Sequence, residues 1–362
     1  MSLEGRLKNG DSGYSGLGLK QIGYFYRRPV FRVEDPIPLI GHIAFGVIDR
    51  GTNVLQVRPT TLCQHSCIFC SVDAGPRSVT RQSEFLVEAR WLVRWSVDIA
   101  RFKGGGVEVL LNGVGEPLSH PEILDVIRLL KESGYVNRVA LETHGGFLSK
   151  RFAVELEKAG LDRINLSVDT KNQLLARELV GVKWYDVTRV LEVAAWILDN
   201  TRIDVILTPV VIPGVNESDM KALIEWARSH RAGVKSGWPS GVLIQKYEVH
   251  EYGRKLRGVQ EWTWSRFYKW LRDLERSTGY RLIVEPWEAG FERRPSLDKP
   301  YTVGSKAKVL IAGPGWHWGE FLGVDLRHER VIAVMTEKEL KPGQYITVTV
   351  VRDRDNIFVA RA

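Results

Sequence analysis

A chain of 362 residues is long enough for two domains with sizeable cores. With 44% hydrophobic and 26% charged residues it has the balance of a soluble globular protein, and no run of about 18 apolar residues offers a membrane span. The net charge of +8 (51 Lys+Arg against 43 Asp+Glu) favours a polyanionic partner without requiring one.

The opening residues lack the apolar stretch of a secretory signal, so none is expected. Three cysteines cannot form a framework of paired disulfides, which fits a reducing cytoplasm, and a cytoplasmic location is the expectation. Residues 1–18 are polar and Gly/Ser-rich and are expected to be mobile at the extreme end. Residues 20–49 hold I-G-Y-F-Y, V-F-R-V and I-A-F-G-V-I, short apolar stretches broken by Pro, Asp and Gly, which read as β-hairpin material capping the core.

Strands and helices then alternate. Strands are predicted at 54–58, 107–112, 138–142, 164–168, 203–211 and 242–248. Helices are predicted at 83–102, 121–133, 149–159, 187–199, 218–230 and 262–278, from apolar residues recurring near a 3.6-residue period. A last short strand is expected at 281–285. In the 262–278 helix, Trp264, Phe267, Trp270 and Leu271 are expected on the buried face. Alternation at this interval argues for a parallel sheet, either doubly wound or closed into a barrel. Residues 288–300 read as a linker, and 301–362 as five short strands with Gly/Pro turns, the pattern of a small closed barrel of the OB type.

The stretch from Thr60 to Pro76, T-T-L-C-Q-H-S-C-I-F-C-S-V-D-A-G-P, holds Cys63, Cys67 and Cys70, which are all the cysteines of the chain. A structural zinc site normally takes four protein ligands, and adding His65 would give a spacing unlike the common zinc fingers. Three thiolates around an iron–sulfur cluster leave one iron open for chemistry. The C-x3-C-x2-C spacing, with Phe69 just before the third cysteine, resembles the radical S-adenosylmethionine (SAM) superfamily, and the resemblance covers about residues 54–248. It implies an α/β fold, a partial (β/α)6 TIM-like barrel. It implies a [4Fe-4S] cluster on the three thiolates and SAM chelated to the open iron. The implied chemistry is reductive cleavage of SAM to a 5′-deoxyadenosyl radical, with electrons from a donor such as ferredoxin or flavodoxin.

In a parallel βα barrel the active site lies at the carboxyl ends of the strands, so each candidate is sought just after a strand. Gly113, Gly115, Glu116 and Pro117 follow the second strand in N-G-V-G-E-P. They match the element with which the family binds the SAM amino group. Thr143 matches a second SAM-binding element in E-T-H-G-G, with His144 where the family usually has Asn. Ser167 is expected at the SAM ribose or carboxylate, and Asp169 at the substrate or as cap of the next segment. Pro213 and Asn216 lie in V-I-P-G-V-N, similar to a family segment that packs on adenine, and Asn216 is also a candidate helix N-cap. Phe69 is counted among the cofactor-binding residues. The 245–254 loop is dense in polar and aromatic groups, and Tyr247 and His250 join His144 and Asp169 as substrate candidates. No general base is named, because the cofactor carries the hard chemistry.

With every cysteine in one loop, the extra cysteines used by methylthiolating and adenine-methylating relatives are lacking. The spacing E-L-K-P-G-Q-Y-I-T-V-T-V before I-F-V-A-R-A resembles a TRAM domain, a β-barrel of enzymes that modify tRNA and rRNA. The expected organisation is therefore a β-rich extension (1–53), a radical SAM core (54–287), a linker (288–300) and a TRAM-like barrel (301–362). The expected substrate is a nucleoside in RNA, foremost tRNA. The alternatives are a small metabolite or peptide, with the barrel as lid or dimerisation module, and a non-enzymatic RNA-binding protein with a structural metal.

Overall fold

A computed structural model describes residues 17–362, so the stretch expected to be mobile at the N-terminus lies outside the described residues up to residue 16. The chain divides into two compact units. One comprises residues up to 64, 75–137 and 293–362; the other comprises 65–74 and 138–292.

In the first unit β1 (Leu19–Phe25) and β2 (Arg28–Val33) form an antiparallel hairpin. β3 (Gly46–Asp49) pairs antiparallel with β4 (Val54–Arg58), so this part of the expected cap is an edge of the core sheet. β5 (Glu84–Val87) adds in parallel to β2, then come α1 (Ala89–Phe102), β6 (Val107–Leu111), parallel to β4, and α2 (Ile123–Glu132).

The helix expected over 83–102 begins only at Ala89, where the Glu88 carboxylate caps it by accepting from Arg90 and Trp91 N–H. Glu84–Val87 is instead a fully buried strand in register from Val30↔Glu84 to Val33↔Val87. A short apolar run satisfies either period, and pairing with β2, distant in sequence, decides it.

The second unit carries β7 (Val136–Thr143) from Arg138 onward, α3 (Lys150–Ala159), β8 (Arg163–Leu166), α4 (Gln173–Val180), α5 (Val187–Asn200) and β9 (Asp204–Leu207). β10 (Val210–Val211), α6 (Met220–Ser229), β11 (Gln245–Lys246) and α7 (Trp264–Thr278) complete it. β7, β8 and β9 are parallel neighbours, which is the expected βα succession. Ser149 caps α3 through Phe152 N–H, and Gly160 ends it at φ 95°.

Three expectations need correction here. The 203–211 strand breaks into β9 and β10, and β10 pairs in parallel with β11, the short remnant of the strand expected at 242–248. Residues 281–285 form no strand; the N–H groups of Leu282 and Ile283 go to the Glu275 carboxylate instead. On α7, Phe267 and Leu271 are buried as expected, but Trp264 is 54% exposed, with the Lys246 ammonium 5.0 Å from its ring centre.

The C-terminal part of the first unit is a closed barrel of β12 (Lys306–Pro314), β13 (Glu320–Asp325), β14 (Val331–Met335), β15 (Tyr345–Arg352) and β16 (Val359–Arg361). Its order is β12-β13-β14-β16-β15, with β12 also paired to β15. All pairs are antiparallel except β14 with β16. Alternate residues such as Ala307, Val309 and Ile311 point into one core closed by Val334, Val348 and Phe358. Among the described residues no helix is long and apolar enough to cross a membrane.

Candidate active site

The cysteine stretch leaves β4 at Arg58, and in the first unit it is held by a buried ionic cluster. Thr61 donates its hydroxyl to Glu84 Oε2 at 2.5 Å. Arg81 donates to the Thr61 carbonyl at 2.9 Å, to Glu84 Oε2 at 3.1 Å and to the Val114 carbonyl at 2.5 Å. Arg28 donates to Glu84 Oε1 at 2.9 Å. Glu84 thus faces two guanidiniums in a place without water access, where paired and hydrogen-bonded charges can be accommodated. One side chain, Arg81, ties the approach to Cys63 to the glycine-rich turn after β6.

That turn packs directly on the cysteine stretch. A Cβ on Gly115 would lie 2.5 Å from the Thr61 carbonyl carbon and 2.6 Å from Leu62 O, so no side chain fits. Glu116 N–H donates to Leu62 O at 2.7 Å. Gly113 is looser, its added Cβ 3.4 Å from Thr60 O. The Glu116 carboxylate is buried and accepts from Leu118 N–H at 3.3 Å, and Pro117 begins the short helical turn that follows.

In the second unit Cys67 and Cys70 sit on a loop hung from the C-terminal end of α4. Ser66 N–H donates to Val180 O and Ile68 N–H to Leu179 O. Gly181, at φ 70°, ends α4 so tightly beneath the loop that a Cβ would lie 2.1 Å from Ser66 O. Arg254 fastens the other side: Nη1 donates to Cys67 O at 2.8 Å, Nη2 to Ala74 O, and Nε pairs with Asp73 at 2.8 Å. The Cys70 sulfur accepts Ala74 N–H at 3.2 Å.

His144 joins this loop to the ends of β7 and β8. Its Nε2 is 3.4 Å from Cys67 Sγ, and its Nδ1 donates to Ser167 O at 3.0 Å. Tyr185 OH donates to the His144 carbonyl at 2.9 Å. The His65 ring lies 5.0 Å from that of His144 and 5.3 Å from Trp184. Burial, with His144 beside it, holds the His65 pKa well below the usual histidine value. Phe147 and the half-exposed Trp184 stack at 6.0 Å, forming an aromatic wall beside these histidines.

The other expected residues fall into two groups. Thr143 and Ser167 lie at strand ends: the Thr143 hydroxyl accepts from Gly145 N–H, and Ser167 Oγ is 3.4 Å from Thr208 Oγ1. Asp169 Oδ1 accepts from Val210 N–H, and the cap of the next helix is Asn172. Burial pushes the Asp169 carboxyl up.

Asn216 does not cap a helix with its side chain. It bonds Ile212 N–H and the carbonyls of Asp169 and Val210, and so braces the loop that bears the half-buried Pro213. Tyr247 is 1% exposed in an apolar cluster with Leu179 and Ile212, against which Phe69 packs, and its hydroxyl accepts from Leu256 N–H. His250 is exposed, 3.9 Å from Glu248, and has no contact with the histidine pair.

Sequence reasoning missed Arg81, Glu84 and Arg254 as supports of the cysteine loop, and weighed His65 only as a zinc ligand. Arg254 read as part of the 245–254 substrate loop, and Glu84 as the first turn of a helix. Only α4 left a local signal: Asn172 and Gly181 bracket Q-L-L-A-R-E-L-V as cap and stop.

In the second unit, the two thiols Cys67 and Cys70 have the donor chemistry of iron–sulfur ligation. The donors of the loop are thiols, and its one carboxylate, Asp73, is already paired with Arg254. Burial, then the neighbouring Cys70, pushes the Cys67 thiol well up, so it gives up its proton against a metal cation rather than in the bare protein. Asn112 Oδ1 in the first unit and Ser66 Oγ in the second are buried without a hydrogen-bond partner among the described residues. Such groups are met by a polar ligand or an ordered water.

Comparison with known proteins gives the site its family. The model of the radical SAM superfamily matches residues 57–227. A protein of Methanocaldococcus jannaschii described as uncharacterized is 32% identical over 352 residues, covering 92% of this chain and 81% of its own length. GTP 3′,8-cyclase of Chlorobaculum tepidum is 29% identical over 214 residues, 58% of each chain, so the match spans little more than half of that enzyme. Among solved structures, a radical SAM methyltransferase from Sphaerobacter thermophilus is similar at 19% identity and TM-score 0.48, covering 64% of this chain and 65% of that one. The cysteine loop, the glycine-rich turn and the histidine-bearing strand ends all fall within the matched residues, which form a radical SAM domain, and the protein is a radical SAM enzyme.

Proposed function

We propose that Cys63, Cys67 and Cys70 hold a [4Fe-4S] cluster and that the enzyme modifies a nucleoside in RNA, foremost tRNA. Once bound, the cluster would supply the electron that cleaves SAM to a 5′-deoxyadenosyl radical. The chain's own residues do the rest. Arg81, Arg254 and the end of α4 fix the cysteine loop; Gly115 lets the turn bearing Glu116 lie against it. The Glu116 carboxylate would receive the SAM ammonium, and Thr143 and Ser167 would orient its polar groups. The aromatic wall of Phe147 and Trp184 would keep water from the reacting atoms.

The observation that carries the RNA reading is the closed barrel of residues 306–361. Its order returns the fourth strand to the first and sets the third parallel to the fifth, which supports an OB-type, TRAM-like module of the kind that binds oligonucleotides. The basic balance of the chain agrees. A second reading, a free purine nucleotide as substrate, is favoured by the similarity to enzymes whose name gives GTP as substrate.

Mass spectrometry of tRNA nucleosides from a strain lacking the gene tests the choice. One modified nucleoside is expected to disappear or to stop at a precursor; an unchanged profile moves the assignment to the free nucleotide.

A further inference from the structure

A cleft of about 840 Å³ opens in the first unit between the β1–β2 turn, residues 76–82 and the loop entering β13. Its floor carries Arg28 and Arg81, both bonded to Glu84. Its rim carries Arg27 and Arg77, which are exposed and form no ion pair among the described residues, and two exposed aromatic rings, Tyr26 (54%) and Trp318 (65%).

Two features mark this rim as more than solvated surface. Trp318 is fixed in place: its indole N–H donates to Val79 O at 3.2 Å and its backbone N–H to Thr80 O at 3.3 Å. Tyr26 is the first residue of a two-residue hairpin turn and has φ 56°. A turn of this kind favours Gly or Asn there, because a bulky side chain at positive φ is strained. The tyrosine stands there against the local preference of the backbone, its half-exposed ring edge-on to Phe25 at 4.9 Å and lining the cleft. The floor also touches the site already described, since Arg81 holds the carbonyls of Thr61 and Val114.

We propose that this cleft seats a single-stranded segment of the RNA beside the target nucleoside. Tyr26 and Trp318 stack unpaired bases, and Arg27 and Arg77 meet the flanking phosphates. Two exposed aromatic faces beside two exposed guanidiniums, neither in an ion pair among the described residues, supply the groups that meet base and phosphate of an unpaired strand. The proposal rests on the RNA reading of function and adds where the RNA lies.

The test measures binding of unfractionated tRNA, and of a short oligouridylate as an unpaired probe, to the reconstituted full-length enzyme across a salt series. The joint variant Arg27→Ala, Arg77→Ala is expected to weaken tRNA binding about tenfold and to flatten the salt slope by about 1.4, the share of two phosphates. Trp318→Ala is expected to weaken both probes about tenfold with the slope unchanged, and Trp318→Phe to restore most of the loss. Tyr26→Asn relieves the turn, so it should raise the melting temperature while lowering affinity, a pairing that a purely structural tyrosine would not give. If the wild-type enzyme binds tRNA and all these variants bind it equally well, the cleft assignment is wrong and the RNA reading stands. If the wild-type enzyme binds neither probe, both fall together.

Discussion

His144 Nε2 lies 3.4 Å from Cys67 Sγ, while the opposite ring nitrogen is fixed by the Ser167 carbonyl and the backbone carbonyl by Tyr185 OH. The ring is thus held at both ends against one sulfur of the cysteine loop. Groups that orient a metal ligand from behind typically cost about 10- to 100-fold in metal affinity or activity when removed. His144→Ala is expected to speed iron loss to a chelator by about tenfold. His144→Asn, which puts the family's usual residue back and keeps an amide near the sulfur, should lose less. Iron per chain after anaerobic reconstitution, followed over time with chelator, distinguishes the two; equal rates in both variants and wild type would remove the role.

Gly115 is the tightest point between the glycine-rich turn and the cysteine stretch, with its added Cβ 2.5 Å from backbone rather than from a movable side chain. Gly115→Ala must push the two backbones apart, at about 1–3 kcal/mol for an overpacked contact. The same displacement moves Glu116, whose N–H bonds Leu62 O. Lower stability together with weaker SAM binding is expected, read by denaturant midpoint and by equilibrium dialysis. Gly113→Ala has 3.4 Å of room and should do neither.

These two contacts show where sequence reading reaches its limit. The cysteine spacing, N-G-V-G-E-P and E-T-H-G-G are local patterns, and the chemistry they imply can be read without coordinates. The βα alternation is legible for the same reason, since periodicity is a local property. The supports are not local. Glu84 meets Arg28 across 56 residues, Arg254 meets Cys67 across 187, and His144 meets Cys67 across 77. A buried arginine and a solvated one look alike in a sequence. The expected N-cap at Asn216 failed in the same way: its amide found three backbone partners supplied by tertiary packing.

The Arg81–Glu84 pair gives a prediction about stability. Both side chains are fully buried, and Arg28 shares the carboxylate. Glu84→Gln leaves two guanidiniums facing a neutral amide, and removal of one partner from a buried pair typically costs about 3–5 kcal/mol. The denaturant midpoint should fall accordingly. The carboxamide offers one acceptor oxygen where the carboxylate offers two, so Thr61, Arg81 and Arg28 compete for it, and iron incorporation should fall in parallel. A stable variant that also fails to bind iron would assign Glu84 to the site alone and sink the stability argument.

Acid sensitivity follows from His120. Its Nδ1 accepts from Glu122 N–H and its Nε2 donates to Val87 O, so the buried ring is locked in one neutral tautomer. Burial is the main cause that lowers its pKa from 6.5 to about 4. The folded value is below the unfolded one, so the unfolded chain binds the proton first. The associated stability is complete above about pH 6.5 and drains away as pH falls through about 4, roughly 3 kcal/mol in all. His65 and His317 are shifted in the same direction, so the wild-type loss is shared among them. The difference between wild type and His120→Gln isolates the one residue. Glutamine can keep both hydrogen bonds and does not titrate, so the variant should lose less stability than wild type between pH 7 and pH 4.5, read from urea midpoints. Parallel curves for the two proteins would place the acid sensitivity elsewhere.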